Sequence, residues 1–181
     1  NPTIPFTLAQ LELAKEDASA AEAYLIEAIA LKRDYTQAIF LFSQIEAQLG
    51  KAKEALQAAE AAAYFAPNDP SVVFQVGILR SANGDTPGAI VALNRAVDLN
   101  PQFANAHFFL GVMYAISGDY VKSAAALQTV AEFSPENAKA VADDLAAVRN
   151  GKNPFPKSRL GALGISGTVA EPAGAATTPT P

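Results

Sequence analysis

Residues 70–103 read PSVVFQVGILRSANGDTPGAIVALNRAVDLNPQF, and their pattern decides the architecture. A first helix is expected from about Ser71 to Ala82, stopped by Asn83-Gly84-Asp85. Gly84 suits the left-handed position that closes a helix. Asp85 or Thr86 can accept from the free amides of a second helix, with Pro87 in its first turn. That second helix carries Ala89, Leu93, Ala96 and Val97 at i, i+4, i+7 and i+8, which is a buried helical stripe. Asn100-Pro101 ends it, because the residue before a proline is pushed out of the helical region.

The same punctuation returns outside this stretch with a step of 34 residues: Pro67, Pro101 and Pro135; Gly50, Gly84 and Gly118; Phe6, Phe40, Phe74 and Phe108. A fixed period shared by three residue types is the signature of a repeat array rather than of one closed core. Four helix-turn-helix units follow, 2–35, 36–69, 70–103 and 104–137. A further helix over 138–150 is expected to cap the last unit. Its Lys139, Asp143, Asp144 and Arg149 are read as a solvated outer face. The first helix starts directly with Ile4, Phe6, Leu8 and Leu11.

In the fourth unit Leu110-Gly111-x-x-Tyr114, then Ser123, Leu127 and Pro135, resembles the tetratricopeptide repeat, with His107 where that family has tryptophan. Gly77, Ala89, Leu93, Ala96 and Pro101 fit the pattern in the third unit, and Ala55, Ala62 and Pro67 in the second. Glu12, Glu46 and Arg80 depart from its tyrosine position. The resemblance implies an all-α, right-handed superhelical solenoid that works by binding protein. It also implies that the first helix of each unit lines a groove, into which its fifth position points. Carried onto this sequence, that position is Phe6, Phe40, Phe74 and Phe108, with Gln44, Ile78, Val112 and Ile116 beside it. Family members that clamp a peptide's terminal carboxylate use lysine, arginine and asparagine there. The apolar set here implies an apolar extended or helical segment as ligand instead.

From Gly151 the composition turns to Gly, Pro, Ala and Thr without helical period, so 151–181 is expected to be a non-helical tail. Within it Leu160, Leu163, Ile165 and Val169 form an apolar stretch between Arg159 and Glu171, which reads as a docking segment rather than a linker.

The 181 residues are 50% hydrophobic and 17% charged, with a net charge of −5. No basic stripe is present to neutralise phosphates, so nucleic acid is not an expected partner. There are no cysteines, hence no disulfides or thiolate sites, and no apolar run approaches the roughly 20 residues needed to span a bilayer. The start at Asn1-Pro2 reads as a processed or trimmed end, which leans to an exported or cell-surface protein and leaves a cytoplasmic one open. His107 is the single histidine and stands without partners for a triad or a metal site. Gly161, Gly164 and Gly167 lack the lysine, strand and helix of a phosphate loop. No catalysis, cofactor or metal is expected. The preferred functional reading is a self-assembling structural subunit, filament or pilus-like, joined head to tail with its C-terminal segment docked on a neighbour. The alternative is an adaptor that binds an apolar peptide of a separate protein.

Overall fold

The computed structural model describes residues 1–165, and among them every regular element is a helix. The first four hairpins are α1 (Thr3–Ala14) with α2 (Ala18–Leu31), α3 (Thr36–Gln48) with α4 (Ala52–Phe65), α5 (Pro70–Ala82) with α6 (Thr86–Leu99), and α7 (Ala104–Ile116) with α8 (Tyr120–Phe133). They are followed by α9 (Pro135–Arg149) and the short α10 (Lys157–Ala162). Each helix packs mainly on its neighbours in sequence, as a solenoid requires.

The turns repeat atom by atom. Glu16, Gly50, Gly84, Gly118 and Gly151 all take left-handed backbone, with φ between 61° and 82°. Each lets the next amide reach back to the carbonyl five residues earlier: Asp17 to Glu12 at 3.0 Å, Lys51 to Glu46 at 2.8 Å, Asp85 to Arg80 at 2.9 Å, Asp119 to Tyr114 at 2.9 Å and Lys152 to Ala147 at 3.0 Å. This closure satisfies carbonyls the helix end would otherwise leave open. The donors Asp17, Asp85 and Asp119 then cap the following helix, their carboxylates accepting from the amides of Ala20, Gly88 and Lys122. Lys51 holds the equivalent place before α4 and gives no side-chain cap.

Within a hairpin, facing positions trade volume. Gly77 and Gly111 sit so close to the partner helix that an added Cβ would lie 2.8 Å from Leu93 and from Leu127. In the second unit Ser43 takes the glycine's place and Ala59 the leucine's; in the first, Ala9 faces Leu25. The Ser43 hydroxyl is buried there without a hydrogen-bond partner.

The C-terminal end departs from the pattern. Residues 32–35, 66–69 and 100–103 join successive hairpins, whereas Ser134 alone joins α8 to α9, its Oγ accepting from the Asn137 amide at 3.1 Å. The cap helix therefore starts at Pro135, earlier than the 138 expected from the period. Asp144, read as solvated, is buried. It lies within the stripe of Val141, Leu145 and Val148 that α9 turns inward. The segment expected to be without helix forms α10, and its Phe155, Leu160 and Ile165 join the largest core cluster, with Val112, Ile116, Val141 and Val148.

Candidate functional site

The first helices of the hairpins form one face of the array, and the four periodic phenylalanines lie on it half-buried. Phe6 leans on Tyr35 with ring centroids 5.1 Å apart, and Phe74 on Phe103 at 4.8 Å. Phe40 packs on the cluster of Ala62 and Val72. The rings of Phe6, Phe40 and Phe74 thus serve the joint to the next unit and stay partly exposed. Gln44 and Ile78 are half-buried beside them.

Val112 and Ile116 differ from an open groove. They are 0% and 2% exposed, while their counterparts one unit earlier, Ile78 and Ala82, are partly open. Val112 and Ile116 share one buried cluster with Val141, Leu145 and Val148 of α9 and with the chain's own segment 153–165. Phe155 sets its ring edge-on to Phe108 at 6.1 Å and is fully buried. Leu160 and Ile165 are buried in the same cluster, and Leu163 packs against its margin. Val169 lies outside the described residues.

One ion pair holds this segment in register. Arg159 donates through Nη1 and Nη2 to the two oxygens of Asp144 at 2.5 and 2.6 Å, and its guanidinium lies 4.8 Å from the centre of the Phe155 ring. Nη1 also donates to the Pro154 carbonyl at 3.3 Å. The fork matches the carboxylate geometry, with Asp144 buried and Arg159 40% exposed. The hydrogen bonds to Asp144 raise the pKa of Arg159 above its ordinary value, so the charge is secure.

The sequence pointed to Leu160, Leu163 and Ile165 as a docking stretch and did not mark Phe155, Asp144 and Arg159 as partners. A signal for Asp144 existed, since Val141, Asp144, Leu145 and Val148 fall at i, i+3, i+4 and i+7. His107 takes no part in the groove contacts of this segment: its Nε2 lies 2.9 Å from the Pro101 carbonyl and its ring 5.6 Å from that of Phe133. Among the described residues no cluster of metal-ligating side chains occurs, and no helix is long and apolar enough to cross a membrane.

Toward the opposite face of the array, where the second helices lie, the first helices differ from unit to unit at the position of Glu46, Arg80 and Tyr114. Glu46 is buried and shares the Lys51 ammonium, at 3.4 Å, with Glu22 at 2.7 Å. Burial pushes the Glu46 carboxyl above its usual range, and the Glu22 charge adds to this. The Lys51 hydrogen bond lowers that of Glu22. Arg80 instead reaches Glu60 at 2.9 Å, and Tyr114 meets Asn94 at 3.2 Å.

The sequence model of the tetratricopeptide repeat matches residues 6–70 and 77–138. The chain is a tetratricopeptide-repeat protein. It is accordingly a scaffold for protein–protein interaction. Among curated proteins, none matches this tetratricopeptide-repeat chain in sequence. Its fold is similar to that of MamA, with a TM-score of 0.78 at 17% identity over 90% of this chain and 85% of that one. MamA from Desulfovibrio magneticus RS-1 gives 0.71 at 21% identity over 75% and 77%. YrrB, described as a TPR protein with an unusual peptide-binding site, gives 0.70 at 21% identity over 81% and 77%. A Thermobaculum terrenum O-GlcNAc transferase also matches, at 0.64 and 19% identity, but the chain spans only 26% of it, so such repeats also occur as part of enzymes.

Proposed function

We propose that this protein is a non-catalytic adaptor whose groove takes apolar, arginine-bearing segments of partner proteins, and that residues 153–165 occupy the C-terminal end of that groove as an internal ligand. The burial of Val112 and Ile116 in one cluster with Phe155 and Leu160, where the preceding unit is open, carries this reading. The segment behaves as a peptide ligand would: an aromatic anchor, a guanidinium clamped by a buried carboxylate, and aliphatic side chains in an apolar channel. Phe6, Phe40, Gln44, Phe74 and Ile78 remain for an external partner.

The test compares the full chain with one ending at Gly151, each titrated with a synthetic peptide of residues 153–165. The shortened chain is expected to bind the peptide and the full chain to resist it. No binding to a folded shortened chain would sink the internal-ligand reading.

A second reading, self-assembly, keeps the same contacts but forms them between copies. Only Asn150–Asn153 tether the segment to α9, with Gly151 in left-handed backbone, so a small change there would send it to a neighbour. Light scattering across a range of concentrations distinguishes the two. Oligomers or filaments lost on truncation favour exchange between copies, and a monomer at every concentration favours the adaptor.

A further inference from the structure

On the face of the second helices, opposite the groove, α2 and α4 flank a cavity of about 690 Å³ floored by α3. Ile39, Phe42 and Glu46 form the floor, and Ile29, Ala58 and Phe65 the walls. Positions 40 and 44 face the groove while 42 and 46 face this cavity, as the roughly 100° step per residue dictates.

We propose that this cavity is a second docking site, independent of the groove, and that its occupant is an arginine side chain on an apolar stretch of a partner protein. The array itself supplies the model. In the third unit the equivalent place is filled from within by Arg80, which donates to Glu60 and to the Gly88 carbonyl, and the remaining cavity is only about 220 Å³. In the fourth it is filled by the Tyr114 ring, with the Lys122 ammonium 5.4 Å from its centre. In the second unit the side chain is the shorter, acidic Glu46, and the space stays open.

Charge selects the occupant. Glu22, Glu46 and Glu54 line the cavity against Lys51 and Arg33, leaving an excess carboxylate in an apolar cleft. Glu46 is 2% exposed and has only a 3.4 Å share of one ammonium. A guanidinium is more weakly hydrated than an ammonium and presents a fork of donors, so it enters such a cleft at lower cost. Its aliphatic stem would lie along Phe42 and Ile29.

The test uses the full chain labelled at isoleucine methyls, titrated with N-acetyl-Leu-Arg-Leu-amide and with the same peptide carrying citrulline. The arginine peptide is expected to shift Ile29 and Ile39 saturably and leave Ile78 and Ile116 unmoved. Citrulline, and the variant Glu46→Gln, are each expected to weaken binding at least about tenfold, the size of a lost charged hydrogen bond. Ala61→Trp, at an exposed rim position, is expected to plug the site without touching the core. Equal binding of both peptides, shifts centred on Ile78 and Ile116, or none at millimolar peptide would each overturn the proposal.

Discussion

Because a Cβ on Gly77 would come 2.8 Å from Leu93, Gly77→Ala is expected to destabilise the array by about 1–3 kcal/mol through overpacking. The second unit shows the remedy, with Ser43 set against Ala59. Gly77→Ser combined with Leu93→Ala should therefore cost less than the two single changes added together. A double-mutant cycle by urea unfolding reads this coupling, and additivity would refute it. A second residue-scale prediction concerns Glu46. The pKa of its carboxyl is raised in the fold, so the unfolded chain loses the proton first as pH climbs past the ordinary value of 4.5. Wild type thus holds this contribution below that pH and loses it as pH rises. Glu46→Gln, which cannot ionise, is expected to gain on wild type as pH rises past 4.5, read as melting temperature. A gap that stays constant would count against it. Glu46 and Arg80 were legible in the sequence as departures from a tyrosine position. Their environments were not, because each depends on what the neighbouring second helix places opposite.

Helix ends and turns account for most of what the sequence made readable at the next scale. Glycines and prolines at a step of 34 residues mark the same backbone event each time, so spacing alone located the hairpins. The first turn has no glycine, and Glu16 holds left-handed backbone at φ 61°. A side chain costs about 1–2 kcal/mol in that region, so Glu16→Gly is expected to stabilise the α1–α2 hairpin by about 1 kcal/mol. Hydrogen exchange of the α1 and α2 amides checks it, and faster exchange in the variant would contradict it. The last turn was hidden for a different reason. Gly151 follows Gly118 by 33 residues, one short of the period. α10 was hidden as well, since a helix of six residues has no period to show and forms only because Leu160 is buried beneath it.

For the molecule as a whole, the contact that matters most is the Asp144–Arg159 pair. Arg159→Ala leaves the Asp144 carboxylate without its fork of donors. Because Arg159 is 40% exposed, the loss is expected to be about 1–3 kcal/mol, that of a charged hydrogen bond. The segment is free to leave, so release rather than global unfolding is expected. Proteolysis should become faster between residues 152 and 164, and an apolar dye should bind the uncovered Val112 and Ile116 surface. Helix content should change little. Protection equal to wild type would mean the apolar contacts hold the segment without the pair. The sequence marked this region as apolar and ligand-like, but not its seat, because where it lands depends on the angle at which α9 leaves α8. That angle is imposed by a joint of one residue, Ser134. The same joint bears on how such a chain could have lengthened by gene duplication. A copy of residues 70–103 spliced in after Phe103 keeps every turn and every four-residue joint in phase, so ancestral tandem growth had an open seam there. Beyond Ser134 the phase is lost, and a unit spliced in there would have to displace segment 153–165 from its seat.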